Sequence, residues 1–332
     1  MYYFLALLVG VVISVMVSLN GGLTQAYGAY GAAVIVHVVG VVFALALCLI
    51  KKEKPFFKKK IPLWAYGGGA IGVLTTISNN YAFRHISLTN IVALGLLGQS
   101  IASIVLDTTG WMGMQRRPLK STAMAGYIPA MAGIFLMIDP SAANASLAVI
   151  LSLAAGVAVV LSRTVNARLS RETSPLVGSF INHLVGLPIC VVLAVLLQRP
   201  LSMTLHSGKP WIFFGGALGV VTVLLFNVTV PKLSAFRLTL LSFTGQVFTG
   251  ILLDLALGQG YSKASFIGGM FVVAGLALNM ALDQWRARNK RREDRYWESI
   301  QKAEQAHWEK VLGGRDCPEP CDGQKPAEQL GK

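Results

Sequence analysis

The first fifty residues of the chain contain no Asp, Glu, Lys or Arg, and this feature excludes an ordinary soluble domain. About 20 consecutive apolar residues suffice for a helix to cross a bilayer, so the stretch has room for two crossings. Helices are the default there because lipid offers no partner to exposed backbone amides. No small-residue cleavage site follows the first apolar run, and residues 3–19 are therefore predicted to be a permanent span.

Charge-poor windows recur along the chain, and they predict an all-α polytopic membrane protein with ten transmembrane helices. Only 13% of the residues are charged, about half of the roughly 25% that is usual in soluble domains. The predicted windows are residues 3–19, 30–50, 61–81, 86–106, 121–138, 147–161, 175–197, 211–230, 235–253 and 264–282.

The basic residues between these windows predict the orientation of the chain. Fourteen Lys and Arg residues follow even-numbered windows and four follow odd-numbered ones, with Arg163 assigned to the loop after the sixth. Lys and Arg mark cytoplasmic loops, so both termini are expected on the cytoplasmic side of a bacterial-type inner membrane. The net charge of +14 is explained in the same way. Nucleic-acid binding is not expected, because no aromatic–basic platform or zinc-ligand spacing accompanies the charge.

The two halves of the chain resemble each other in sequence. Residues 10–40 align without a gap on residues 156–186, and after an offset of one residue "GQSIASIVLD" aligns with "GQVFTGILLD". An ordered series of matches over such a length predicts a duplication. We therefore predict a first five-span repeat over residues 1–140, a second over 141–284, and a cytoplasmic tail over 285–332.

Five spans per repeat is an odd number, so the second repeat is predicted to be inverted in the membrane. The loop charges agree with this prediction. The loop after the first window carries no charge, whereas its counterpart after the sixth carries Arg168 and Arg171. Two inverted five-helix repeats are typical of transporters that hold their substrate near the membrane midplane.

The motifs "LVGVVISVMVSLNGGL", "GAYGAAVIVHVVG" and "GQSIASIVLD" resemble the YdcZ branch of the drug/metabolite transporter superfamily. The resemblance covers roughly residues 4–138 and 147–282, as a fused pair of five-span units. It implies an alternating-access carrier that exports a small organic molecule. The related small multidrug transporters use a Glu in their first span, but residues 3–19 contain no acid, so their proton/drug exchange does not carry over simply.

The repeat pairs several polar residues that are candidates for substrate binding or coupling. The two histidines either face a shared cavity and titrate or hydrogen-bond between helices. The two acids either act as gate or proton sites, one on each face, or are polar helix ends that contact lipid headgroups or cap the following loop. The amides either bind substrate or join helices. The candidates are His37, His183, Asn20, Asn166, Asn80, Asn227, Gln99, Gln246, Asp107 and Asp254.

An enzyme is not expected, because the chain contains neither His-Glu-x-x-His nor Gly-x-Ser-x-Gly. No cofactor or metal is predicted. The expected partners are the lipid bilayer and a small-molecule substrate whose identity the sequence leaves open. Coupling to a proton or another cation and formation of a homodimer also stay open. The alternative functions are a membrane scaffold or assembly protein, and a channel without active transport.

The tail contains a basic run over residues 286–295, followed by helical spacing up to Val311. Such a helix fits either the membrane surface or solvent. From Gly313 the chain is rich in Pro, Gly and charge and is predicted to be disordered. Cys317 and Cys321 are too few for a structural zinc site, which usually needs four ligands.

Overall fold

The computed structural model describes residues 1–53, 61–82, 85–86, 88–117, 121–138, 145–197, 210–256 and 263–312. Within these ranges the fold is all-helical and contains no strand, which confirms the predicted class. Short 3₁₀ turns over Leu63–Tyr66 and Pro210–Phe213 precede two of the helices, and a third turn covers Trp111–Gly113. The helices are α1 (Tyr2–Ile50), α2 (Gly68–Ala82), α3 (Leu88–Thr109), α4 (Ser121–Met137), α5 (Ser146–Glu172), α6 (Pro175–Leu197), α7 (Phe214–Thr229), α8 (Ala235–Ala256) and α9 (Lys263–Leu312).

Helix α1 contains the first two predicted windows and is broken at Gly28. This glycine has φ 73° and ψ 166°, a conformation that residues with a Cβ rarely adopt. An unbroken helix of 49 residues would be about 74 Å long, more than twice the roughly 30 Å hydrocarbon core of a bilayer. The break therefore allows two apolar segments, residues 2–27 (α1a) and 29–50 (α1b), to cross separately without a loop between them.

Seven helices in the described part of the chain are long and apolar enough to cross a membrane. A multi-pass membrane protein is therefore supported, while the count of ten crossings stays a prediction. Helix α2, with 15 residues, is too short to be included, and α4 contributes only the short apolar helix Ala125–Met137. The seven segments are Tyr2–Ile50, Asn90–Thr109, Ser146–Glu172, Pro175–Leu197, Pro210–Thr229, Ala235–Leu253 and Phe266–Ala303.

Helix α5 corrects the sequence assignment of Arg163 to a loop. The helix runs over 27 residues to Glu172, so the charged residues after the sixth window continue it instead of leaving it. Arg171 lies exposed near the end of the helix, whereas Arg163 is only 4% exposed. The window ended at Leu161 because an apolar window stops at a charge, but a helix interior accommodates a charged side chain that finds polar partners there.

The chain divides into two compact units, residues 1–278 and residues 279–332. In the first unit, α1 packs against α6, α7 and α8, while α5 packs against α2 and α3. In the second unit, α9 remains helical up to Leu312. The segment predicted to be disordered, with Cys317 and Cys321, lies outside the described residues.

Glycines allow the helix backbones of the first unit to approach closely. A Cβ on Gly10 would overlap the carbonyl oxygen of Ser242 in α8, and a Cβ on Gly156 would overlap that of Gly95 in α3. Gly10 and Gly156 occupy equivalent positions in the repeat alignment, and so do Gly95 and Ser242. Small residues at such crossings are a common device of helix packing in membranes.

The close approach at Gly10 predicts opposite effects for two substitutions in the same helical segment. Gly10→Ala should lower the free energy of unfolding by about 1–3 kcal/mol, because the new methyl group meets backbone that cannot move aside. Gly21→Ala has open space around it and should leave stability unchanged or raise it slightly. Melting of the purified variants in detergent measures both effects, and equal melting temperatures would contradict the packing described for Gly10.

Candidate functional site

A cavity of about 290 Å³, here called the central cavity, lies between helices from both halves of the chain. The volume is at the lower end of the range usual for small-ligand sites, which begins at about 300 Å³. The wall combines apolar side chains with polar ones from α1, α2, α5, α6 and α7. The polar side chains are Asn20, His37, Thr75, Thr76, Ser162, Arg163, Asn166, Asn182, His183 and Thr222.

The two predicted histidines meet in this cavity. The ring centroids of His37 and His183 are 5.7 Å apart, and the ring planes are inclined by 51°. In each ring, Nδ1 lies close to a carbonyl oxygen one turn earlier in the same helix, at 2.8 Å from Ala33 and 2.9 Å from Ser179. A carbonyl oxygen only accepts hydrogen bonds, so Nδ1 carries a hydrogen in both rings. Nε2 is consequently the atom on which either ring can gain a further proton.

Each imidazole packs against a glycine of the opposite half. A Cβ on Gly186 would overlap the ring of His37, and a Cβ on Gly40 would overlap the ring of His183. The alignment pairs His37 with His183 and Gly40 with Gly186, so the two contacts are reciprocal. In each half, the motif His-x-x-Gly thus contributes one imidazole ring and one glycine, and the glycine leaves space for the imidazole of the other half.

The aligned asparagines make a second reciprocal pair of contacts. Asn166 packs against Gly68 and Asn20 against Gly215, in each case a glycine near the start of a helix of the opposite half. The hydrogen bonds of the two asparagines, however, differ. Asn166 Nδ2 donates to Asn182 Oδ1 at 2.7 Å, whereas Asn20 Oδ1 is buried with no hydrogen-bond partner among the described residues.

The other predicted amides whose side chains the structure describes, Asn227, Gln99 and Gln246, do not line the central cavity. Asn227 is buried and donates from Nδ2 to the carbonyl oxygen of Pro175 at 2.9 Å, which joins α7 to the start of α6. Gln99 and Gln246 are half-buried at the crossings of α3 with α5 and of α8 with α1. The side chain of Asn80 lies outside the described residues. Of the predicted amides with described side chains, the structure therefore places Asn20 and Asn166 in the cavity wall.

Asp107 lies outside the cavity wall and caps a helix of the opposite half. Its two carboxylate oxygens accept the backbone N–H groups of Ala235 at 2.8 Å and Phe236 at 3.0 Å, at the N-terminus of α8. The side chain is 5% exposed. A carboxylate satisfies free N–H groups and complements the helix dipole at such a position. The side chain of its repeat partner, Asp254, lies outside the described residues.

Arg163 is a cavity residue that the sequence analysis missed. Its Nη2 donates to Ser103 Oγ at 3.2 Å, to the Ala235 carbonyl oxygen at 3.1 Å and to Thr239 Oγ1 at 2.6 Å. The guanidinium carbon lies 5.5 Å from the centre of the Phe226 ring. Its Nη1 is buried and has no hydrogen-bond partner in the described structure. Its position three residues before Asn166 was the available signal, because that spacing places two residues on one face of a helix.

Residues 1–136 and 147–282 both match one protein family, whose description is "Putative inner membrane exporter, YdcZ". The chain belongs to the YdcZ family. It carries the family unit twice, so the predicted family and its two-repeat form are confirmed. Membership supports a transporter role in the inner membrane, and exporters are not a class of enzyme.

Solved structures extend the comparison to the fold. One crystal structure aligns with a TM-score of 0.63 and 18% sequence identity, over 85% of this chain and 96% of the other. At that identity the similarity shows only that the YdcZ protein and the other chain share a fold. No curated protein sequence matches the chain.

The cap made by Asp107 predicts a stability difference between neighbouring residues of α3. Asp107→Ala should lower the free energy of unfolding by about 1–3 kcal/mol, since two buried N–H groups lose their acceptor. Thr108→Ala is the matched control, because Thr108 Oγ1 bonds only to carbonyl oxygens of its own helix. Thermal unfolding followed by circular dichroism compares the two variants. If Asp107→Ala melts at the same temperature as the wild-type protein, the cap makes no measurable contribution to stability.

Proposed function

We propose that this YdcZ protein exports a small organic molecule by alternating access, with the central cavity as the substrate site. The observation that carries the proposal is the composition of the cavity wall. Both halves contribute polar side chains to it, and the histidine and asparagine pairs come from equivalent repeat positions. A site between two related halves is exposed to either side of the membrane in turn when the halves rock against each other.

The proposal includes ten crossings arranged as two inverted repeats, with both termini in the cytoplasm. Reciprocal contacts support the symmetry: Gly40 faces His183 as Gly186 faces His37, and Gly68 faces Asn166 as Gly215 faces Asn20. Contacts that exchange partners in this way follow from a two-fold relation between the halves. With five crossings in each half, that relation reverses the second half in the membrane.

Inversion predicts that equivalent residues are accessible from opposite sides of the membrane. Ala26 and Glu172 are equivalent in the repeat alignment, and neither is a basic residue that would bias topology. Single cysteines at these positions, in a protein with its four native cysteines replaced, should react with an impermeant maleimide from opposite faces of spheroplasts and inverted vesicles. A cysteine at Asn289 in the tail should behave like the one at Glu172. Labelling of Ala26→Cys and Glu172→Cys from the same face would rule out inversion.

We also propose that a proton on the pair of His37 and His183 biases the carrier between its two access states. Histidine is the side chain that ordinarily titrates near neutral pH. Among the described residues, the other titratable or charged groups around the pair are Cys190, whose Sγ lies 3.5 Å from His37 Nδ1, and Arg163 in the same cavity wall. A second positive charge beside Arg163 would favour whichever access state lets water or an anion reach the site.

Access to the cavity can be measured as a function of pH without knowledge of the substrate. A single cysteine is introduced at Thr76, in the cavity wall, and is labelled with an impermeant maleimide from each side of the membrane. The ratio of the two labelling rates is used because the pH dependence of the thiol itself cancels in it. The ratio should change as the pH is lowered from about 8 to about 4 in the otherwise unchanged protein, because a histidine gains its second ring proton on acidification. His183→Gln should flatten the profile, because Gln hydrogen-bonds but does not titrate.

The control for this experiment is His85→Gln. His85 is exposed, stacks on Tyr81 with ring centroids 4.4 Å apart, and lies outside the cavity wall. Its substitution should leave the profile unchanged. If His183→Gln also keeps the wild-type profile and only lowers the melting temperature, the histidine pair serves helix packing and carries no coupling proton.

A further inference from the structure

Arg163 places a positive charge in the wall of the central cavity. The residue is 4% exposed, and a buried charge is retained in a membrane helix only where something compensates for its lost hydration. Guanidinium has five N–H donors in a planar fork. The N–H groups on Nη2 donate to oxygen atoms of Ser103, Ala235 and Thr239. The N–H groups on Nη1 have no acceptor in the described structure. The hydrogen-bonding capacity of the side chain is therefore only partly used.

The described residues supply no directly bound carboxylate for this charge. Arg163 takes no part in the ion pair that Arg168 forms with Glu172 on the same helix. Asp107 interacts with Arg163 electrostatically, but its two oxygens accept the backbone N–H groups of Ala235 and Phe236. Arg163 is thus anchored through neutral oxygen atoms, and these leave its formal charge in place.

The remainder of the wall has the composition of a site for an amphiphilic anion. Among the described residues that line the cavity, none is Asp or Glu. Met16, Val159 and Val223 supply apolar surface, and the Phe226 ring lies against the guanidinium while also lining the cavity. A guanidinium fork matches the two oxygens of a carboxylate or phosphate group, and the apolar wall suits a hydrocarbon or aromatic body.

The second half alone provides this charge. The repeat alignment pairs Arg163 with Val17, an apolar residue that does not line the cavity, so the charge has no counterpart in the first half, although the histidines and asparagines are paired. A substrate with an anionic group at one end and an apolar body at the other would bind in a single orientation.

We propose, on the basis of the function given above, that the transported molecule is a small organic anion whose carboxylate or phosphate group binds Arg163. The cavity volume of about 290 Å³, at the lower end of the range for small-ligand sites, favours a small ligand. A molecule with a single aromatic ring or a short alkyl chain fits that space.

Binding to the purified full-length protein tests this assignment with probes of similar shape and different charge. Phenylacetate and phenyl phosphate carry the two oxyanion groups, phenylacetamide is neutral and 2-phenylethylammonium is cationic. Calorimetry or thermal shift should detect one or both anions, and their relative affinities distinguish carboxylate from phosphate recognition. Equal binding of the neutral or cationic probe would overturn the proposal, as would equally effective competition by chloride or inorganic phosphate.

Variants on a single helix identify the residue responsible. Arg163→Gln should raise the Kd of the bound anion about 10- to 100-fold, the usual effect of losing a hydrogen bond to a charged group. Arg171→Gln removes the same charge from an exposed position of α5 outside the cavity wall and should leave the Kd unchanged. An unchanged Kd in Arg163→Gln would overturn the proposal. If that variant does not fold, Arg163→Lys keeps the charge without the fork and should weaken binding several-fold.

Flux measurements separate this inference from the proposed function. Liposomes that contain the protein are loaded with the bound anion and assayed for its release. If the anion binds in a way that depends on Arg163 but is not released under any imposed gradient, the anion site is supported and the proposed carrier function is contradicted. If a neutral or cationic compound is released, and its rate is unchanged in Arg163→Gln, the carrier function is supported and the proposal of an anionic substrate is contradicted.

Discussion

The structure depends on close contact between glycines of one half and backbone or polar side chains of the other. In a membrane the hydrophobic effect does not drive apolar helices together, so association relies on close packing and hydrogen bonds. Gly10 and Gly156 allow helix backbones to meet at the crossings with α8 and α3. Gly40 and Gly186 leave space for imidazole rings. The same type of residue thus holds the halves together and forms part of the cavity between them.

Polar groups within this packing are arranged symmetrically, while the buried charge is not. His37 and His183 face each other at 5.7 Å from equivalent helices, and each donates its Nδ1 hydrogen to its own helix. Arg163 has Val17 as its counterpart. In the proposed carrier, the symmetric frame would give two equivalent access states, and the single charge would orient the ligand. Duplication followed by divergence of one residue is enough to produce this combination.

Arg163 and Asp107 also connect the cavity to the helix interface next to it. Both residues bind Ala235 at the start of α8: the arginine donates to its carbonyl oxygen, and the aspartate accepts from its N–H group. Ser103 and Thr239 complete the connection with hydroxyl oxygens 2.9 Å apart. Helices α3, α5 and α8 therefore share one polar network at this end of the cavity. A change of charge at Arg163 would act on the start of α8 as well as on the ligand.

The sequence by itself determined the helical class, the positions of the apolar segments, the duplication and the family. These properties depend on hydropathy and on ordered matches along the chain, which need no knowledge of contacts. The paired histidines and the asparagines at positions 20 and 166 could also be predicted as cavity residues, because the repeat identified them. The sequence did not separate them from Asn227, Gln99 and Gln246, which are equally polar and aligned.

Only the tertiary structure distinguished cavity residues from packing residues, since that depends on which neighbouring helix each side chain faces. It showed that Asp107 caps α8, a contact between residues distant in the chain. It also moved Arg163 from a loop to the cavity wall. Local hydropathy marks a charge as the end of a span, but acceptors from α3 and α8 stabilise that charge inside the protein, and those acceptors come together only when the helices pack.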